Sequence, residues 1–480
     1  MKHFELLLLC SLFTISGLCC KDNKTTAHQD GLPTASFVFH VYNQGQLPDT
    51  VRFRSTSTQA STLQWDFGNG HTATSDSPLV VFERSGNYQV TLRASNKEGA
   101  DSITKGIAIL IEKPAAGFSF TASDPEVLPA ELTFHNTSKD AGLGATYRWS
   151  FSNGDTSTEQ EPVVSFTAGG IYEVKLVVTN AAGSDSLVQQ VRISPYPQRY
   201  TNFNGNVLEL FAWKGKHVML LSQQNDLDRK TMYKWLNAMD TAYGFYKRCT
   251  GALPIEQQQT FLDSLSTIAE VPQTCGAGCG YLGATGIEIQ TDYFDVMYNA
   301  ISNEDQYDQV LFYELGRNFW LYGSQLAYQD FGPFTTGYAV FMRFLAMEAA
   351  GLKGAPFGAY SFPEFKKAVT DLVDLYLADP SLNWDNTLGA AQGVPGAFGS
   401  NNDLFASFCL RLRRDYGGNA FVEKLWKQAG LRPAAQSEQD VIDNFFLAAC
   451  AAAGQDLTAL FESWRWPLSD GAREEALQYH

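Results

Sequence analysis

Histidine is in short supply in this chain: seven in 480 residues, and beyond residue 200 only His217 and His480. A catalytic zinc ion takes three protein ligands, usually with imidazole among them, so the second half lacks the raw material for one. Basic charge is short as well. Lys and Arg total 35 against 51 Asp and Glu, a net charge of −16, which excludes the positive stripe of a nucleic-acid binder. Long apolar runs are nearly absent. The one conspicuous run, Leu6 to Leu18, falls short of the roughly 20 residues that span a bilayer. No residue pattern calls for a cofactor.

That apolar run follows an early lysine and ends in Gly17-Leu18-Cys19-Cys20-Lys21-Asp22. Its length suits the h-region of a secretory signal, which places the mature protein outside the cytoplasm. The ending resembles a bacterial lipoprotein signal, in which the first mature residue is a lipidated cysteine. Residues 1–20 are then the signal peptide, with Cys20 (or Cys19) the lipidation site. Lys21-Asp22 resembles the surface-export tag of Bacteroidetes lipoproteins. The resemblance implies an outer-membrane or cell-surface protein held to the membrane through a lipid anchor alone. An ordinary cleaved signal is the alternative.

Eight cysteines are present, and Cys249, Cys275, Cys279, Cys409 and Cys450 remain after export. An odd number leaves at least one thiol unpaired. Thr274-Cys275-Gly-Ala-Gly-Cys279-Gly280 sets two thiols in a glycine-rich loop. Outside the cytoplasm this suits a short-loop disulfide, or a bond from Cys249 to one of the two. Two sulfurs without a histidine nearby do not complete tetrahedral zinc. Cys409 and Cys450, on apolar helical stretches, read as buried free thiols.

After a polar linker (21–33) the chain repeats itself. Trp65, Tyr88, Asn96 and Gly99 recur as Trp149, Tyr172, Asn180 and Gly183, each 84 residues later. A constant offset means one fold used twice. In Tyr88–Ala94 every second residue is apolar, the mark of a strand with one buried face. Phe67-Gly68-Asn69-Gly70 and Ser152-Asn153-Gly154 supply residues that tolerate positive φ in tight turns. Short strands at this density suggest immunoglobulin-like β-sandwiches. The LQWDFGNG and GNYQVTLRASN segments resemble the PKD domain, with hallmark WDFGDG followed by a G-x-Y-x-V-x-L strand. The second copy departs slightly, with SFSNGD at the hallmark. Domains are expected at 34–113 and 114–196. Trp65 and Trp149 sit mid-strand beside alternating apolar positions, which favours the core between two sheets over a sugar-stacking platform. His40, His71 and His135 form no ligand pattern.

From 197 to 480 the pattern changes. A β-leaning start (Val207–Leu221) gives way to helical periodicity over Asp228–Tyr246, Gln306–Leu326, Phe334–Gly351, Pro363–Leu377, Asp403–Tyr416, Ala420–Ala429, Glu438–Ala453 and Asp456–Trp464. The layout resembles the gluzincin metallopeptidases, particularly the M60-like group. In Tyr313-Glu314-Leu315-Gly316-Arg317 the glutamate takes the place of the catalytic Glu of HExxH. Thr336-Gly337-Tyr338-Ala339 resembles the E-G-x-A opening of the next helix, 336 − 317 = 19 residues on. The segment from Gly454 through Asp456, Phe461 and Trp464 to Pro467 resembles the stretch that closes such domains. The expected fold class is thus multidomain: two PKD sandwiches followed by an α-rich α+β peptidase-like domain.

The chemistry does not follow the resemblance. HExxH works because residues four apart share a helix face, so that two imidazoles reach one ion and the glutamate activates its water. Here the three ligand positions hold Tyr313, Arg317 and Thr336. A guanidinium stays protonated and has no lone pair for a metal. No metal site is expected, and Glu314 and Arg317, three apart, suit an ion pair. The basic run Arg411, Arg413, Arg414 reads as solvated. Three readings remain: a non-catalytic domain that binds a glycan, a glycoprotein or a surface protein; an active hydrolase using Glu314, as an atypical peptidase or with a second carboxylate as a glycosidase; and a structural envelope component.

Overall fold

The computed structural model describes residues 31–124, 127–329 and 333–479. The export segment with Cys19 and Cys20, and His480, lie outside the described residues. Among those described, no helix is long and apolar enough to cross a membrane.

The first repeat comprises β1 (Phe37–Val41), β2 (Asp49–Ser55), β3 (Thr62–Asp66), β4 (Thr72–Ala73), β5 (Leu79–Phe82), β6 (Gly86–Asn96) and β7 (Gly99–Ile109). They form a three-stranded sheet β1-β2-β5 and a four-stranded sheet β4-β3-β6-β7. Alternation decides which side chains enter: Val90, Leu92 and Ala94 of β6 are buried, the residues between them are not. Trp65 is fully buried, edge-on to Phe37 at 5.1 Å, and its Nε1 donates to the Ser75 carbonyl. Asn96 explains its own recurrence. Its amide donates to the Gln59 carbonyl while its Oδ1 accepts from the Glu98 and Gly99 backbone, which fastens the hairpin to a neighbouring loop.

The second repeat has the same order: β8 (Phe118–Ala122), β9 (Ala130–Asn136), β10 (Thr146–Phe151), β11 (Thr156–Ser157), β12 (Val163–Phe166), β13 (Gly170–Asn180) and β14 (Gly183–Ile193). Its sheets are β12-β9-β8 and β11-β10-β13-β14. Trp149 is buried against Phe118, Phe134 and Phe151, and its Nε1 donates to the Glu159 carbonyl, 84 residues beyond Ser75. Both tryptophans are core residues, not sugar platforms.

The remaining strands are β15 (Tyr196–Thr201), β16 (Val207–Lys214), β17 (Val218–Ser222), β18 (Phe261–Leu262), β19 (Leu265–Val271), β20 (Gly278–Gly280) and β21 (Ile287–Gln290). They build one mixed sheet in the order β15-β16-β17-β19-β21-β20, with β18 beside β19. β17, β19 and β21 run parallel. Every residue of β17 and β19 is buried, as parallel strands covered on both faces require. On one face Leu220, Ile268 and Ile289 meet the helices; on the other Met219, Leu221 and Ala269 meet Tyr196 and Tyr200.

The helices are α1 (Arg229–Thr250), α2 (Thr291–Glu304), α3 (Val310–Asn318), α4 (Pro333–Ala349), α5 (Phe362–Thr370), α6 (Leu372–Ala378), α7 (Asn401–Asp415), α8 (Asn419–Leu431), α9 (Glu438–Ala453), α10 (Thr458–Ser463) and α11 (Asp470–Ala476). The helix expected over Gln306–Leu326 shrinks to α3. The Arg317 carbonyl is taken by the Gly283 and Trp320 N–H groups, and the Asn318 amide by the Tyr281 and Gly286 carbonyls. These contacts tie the end of α3 to the 281–286 loop, and Phe319, Trp320 and Tyr322 are buried beyond the end of the helix. The stretch expected over Pro363–Leu377 breaks at Asp371 into α5 and α6. Arg414 of the basic run on α7 is exposed as expected, whereas Arg411 and Arg413 are half-buried; the three pair with Asp415, Asp374 and Glu348 respectively.

The candidate cleft beside the edge strand

Two glycines place α3. A Cβ at Gly280 would lie 2.7 Å from the Glu314 carbonyl oxygen, and one at Gly278 3.2 Å from Val310 Cγ1. Only a strand without side chains there lets the helix lie against it. Gly316 does the same for α4, since its Cβ would come 3.2 Å from the Ala339 Cα. The helix bearing Glu314 is thus wedged between edge strand β20 and α4.

Glu314 and Arg317 form the expected ion pair, with Nε 3.3 Å from Oε2. The pair also clasps one residue of the edge strand by both its backbone groups. Glu314 Oε2 accepts from the Gly280 N–H at 2.7 Å, and Arg317 Nε donates to the Gly280 carbonyl at 3.2 Å. Both hydrogen-bonding groups that an edge strand would offer there are satisfied from within the chain. Glu314 is 6% exposed. Burial holds its carboxyl above the usual range, opposed by Arg317 and the Gly280 N–H.

Two cavities adjoin this helix. One, of about 290 Å³, is lined by Cys275, Gly278, Gln309, Val310 and Glu314 among others; the second, of about 390 Å³, by Thr336, Phe357, Phe398, Asn402 and Asp403 among others. Tyr313 and Arg343 line both. Tyr313 and Thr336, two of the positions named from the resemblance, therefore face a common space, while Arg317 is turned to the edge strand. Zinc does not fit this set. One position is a guanidinium without a lone pair, already paired with the glutamate, and no group of three or more His, Cys, Asp or Glu side chains suited to a metal ion is found among the described residues.

Arg343 escaped sequence reasoning. It lies seven residues after Thr336, so the two share a face of α4, and it is the only charge in an apolar helix before Glu348. A lone arginine inside PFTTGYAVFMRFLAMEA was the available signal. It is 7% exposed, hydrogen-bonds Gln309 Oε1 through Nη1 at 2.5 Å, and lies over the Phe344 and Phe365 rings. Burial pushes its pKa down to about 10, against the pull of Asp403.

Cys275 and Cys279 are joined in a disulfide, with Cα atoms 5.5 Å apart, and residues 275–278 wall the smaller cavity. Cys249 takes no part. It ends α1 in the core, fully buried, and its thiol is pushed up to about 12 by burial. Cys409 and Cys450 are buried free thiols. Two further buried carboxylates, Glu270 and Glu288, stand on β19 and β21, where the sequence reading placed no strand. Their register partners are Ile289 and Ala269 respectively, so they point to opposite faces and cannot form one acid pair.

Residues 38–108 and 112–194 each match the PKD domain family. Over 143 residues the chain is 29% identical to the pre-pro-metalloprotease PrtV of Vibrio cholerae serotype O1, covering 29% of this chain and 15% of that protein. Over 145 residues it is 27% identical to the collagenase ColA of Bacillus cereus, covering 29% of this chain and 15% of that one. The chain thus spans about 15% of the length of these relatives. Among solved structures it is similar to the ZmpB metallopeptidase from Clostridium perfringens, with 14% identity, a TM-score of 0.38, and coverage of 76% of this chain and 72% of that one. Residues 38–108 and 112–194 are a pair of PKD domains, and an α-rich domain follows them.

Proposed function

We propose that this is an extracytoplasmic, lipid-anchored surface protein in which two PKD spacers present a non-catalytic, peptidase-like domain. The cleft beside α3 binds a glycan, a glycoprotein or a surface protein. The observation that carries this reading is the Glu314–Arg317 clasp on Gly280. A water-activating glutamate has to be free to take a proton, and this one is committed to a backbone N–H and a guanidinium. The Cys275–Cys279 disulfide supports an oxidising compartment, and Leu6–Cys20 supports export with Cys20 (or Cys19) lipidated. The competing reading, a hydrolase built on Glu314, has one observation in its favour: a second carboxylate, Asp403, lines the adjoining cavity.

A glycan and mucin array probed with the mature chain separates these. Binding is expected, undiminished by a chelator, with no hydrolysis of the bound material. Cleavage that Glu314→Gln abolishes would establish the hydrolase. An array blank throughout would favour a structural envelope role.

A further inference from the structure

Arg343 is a buried cation whose hydrogen-bonding capacity is almost unused. Of its five N–H groups, one meets Gln309 Oε1. Nε has no partner among the described residues, and Nη2 stands 3.9 Å from Asp403 Oδ1, beyond hydrogen-bond reach. Each nearby carboxylate has one oxygen engaged elsewhere, and Asp403 turns its other toward Arg343 as a long ion pair. Asp403 Oδ2 accepts from the Ser400 N–H and hydroxyl, Asp308 Oδ1 from the Val310 N–H, and Glu314 Oε2 from Gly280. Phe344 and Phe365 lie against the guanidinium with their ring centroids 5.0 and 4.8 Å away, and Tyr313 follows at 5.8 Å. Nε is itself buried, so the remaining Nη N–H groups are what a ligand can engage. A fixed planar fork of donors matches a carboxylate.

We propose that Arg343, with the Tyr313 hydroxyl beside it, is a receptor for a ligand carboxylate at the junction of the two cavities. The inference rests on the cleft being a binding site and names the group it selects. An acidic sugar and an acidic amino-acid residue both carry that group, and two probe pairs tell them apart.

The test is saturation-transfer NMR followed by titration of the full mature chain. The probes are N-acetylneuraminic acid against its methyl ester, and N-acetylglutamate against N-acetylglutamine. One acid is expected to bind, with its neutral counterpart at least about tenfold weaker. Arg343→Lys keeps the charge but loses the fork, and should weaken the acid about tenfold. Tyr313→Phe, which removes a single hydroxyl and keeps the ring, should weaken it severalfold should Arg343→Lys fail to fold. Equal binding of acid and neutral partner, or no transfer from either acid at millimolar concentration, overturns the proposal. So does unchanged acid binding in a folded Arg343→Lys or Tyr313→Phe chain. Array binding to neutral glycans that neither acid competes would overturn the carboxylate receptor and leave the proposed function standing.

Discussion

Arg317→Met is expected to destabilise the α-rich domain by about 2–4 kcal/mol at neutral pH, against about 3–5 kcal/mol for removing one partner of a fully buried ion pair. The side chain of Glu314 is 8% exposed and that of Arg317 26%, which places the loss below the top of that range. Methionine keeps the stem but leaves the carboxylate with one N–H, from Gly280. The sign of the pH dependence follows. Burial raises the folded-state pKa of Glu314 above its unfolded value, so the folded state holds the proton more tightly. Its contribution to stability is complete below the unfolded pKa and is lost as pH rises through the folded one. Without Arg317 the folded pKa rises further and the loss by neutral pH grows. The deficit of the variant should therefore shrink between pH 7 and about pH 4.5. Urea unfolding at the two pH values measures this, and an equal deficit at both would refute the pairing. Adding Glu314→Gln to Arg317→Met should recover part of the loss, since no charge is then left stranded.

Trp65→Ala should cost the first PKD domain about 3–5 kcal/mol, the range for deleting a large aromatic from a core. Trp65 is fully buried, packs on Phe37, Phe53 and Phe67, and satisfies the Ser75 carbonyl. A domain of this size is stable by about 5–15 kcal/mol, so the loss takes a large share of its margin. Calorimetry of the full chain should show one transition lowered sharply and the others unmoved. A variant with an unchanged melting profile would show that the tryptophan is not the centre of that core. Trp149→Ala should do the same to the second domain, where the equivalent contacts recur.

The sandwiches were legible because their signal is local and repeated. Alternation in Tyr88–Ala94 and the 84-residue offset name strands and core tryptophans without reference to anything distant. The α-rich domain was legible in its helices and poorly in its sheet. Leu265–Val271 is buried on both faces, so it shows no alternation, and Glu270 within it disguises a central strand as a loop. The clasp on Gly280 was half legible. A spacing of three predicts the Glu314–Arg317 pair, but no helical periodicity says that both will grip the backbone of Gly280, 34 and 37 residues away. Arg343 went unread for the opposite reason, since a single positive charge in the seventeen residues of α4 leaves an amphipathic reading intact. Its importance comes from three elements that meet only in the fold: Gln309 before α3, Asp403 on α7, and Phe365 on α5.

Elemental analysis of the mature chain, purified without chelator and dialysed against zinc-containing buffer, tests the account most directly. The Tyr313, Arg317 and Thr336 positions, with Arg317 paired to Glu314, predict zinc far below one equivalent per chain and no change in ligand binding when chelator is added. One tightly held equivalent, lost in Glu314→Gln together with hydrolysis of a bound glycoprotein, would contradict it.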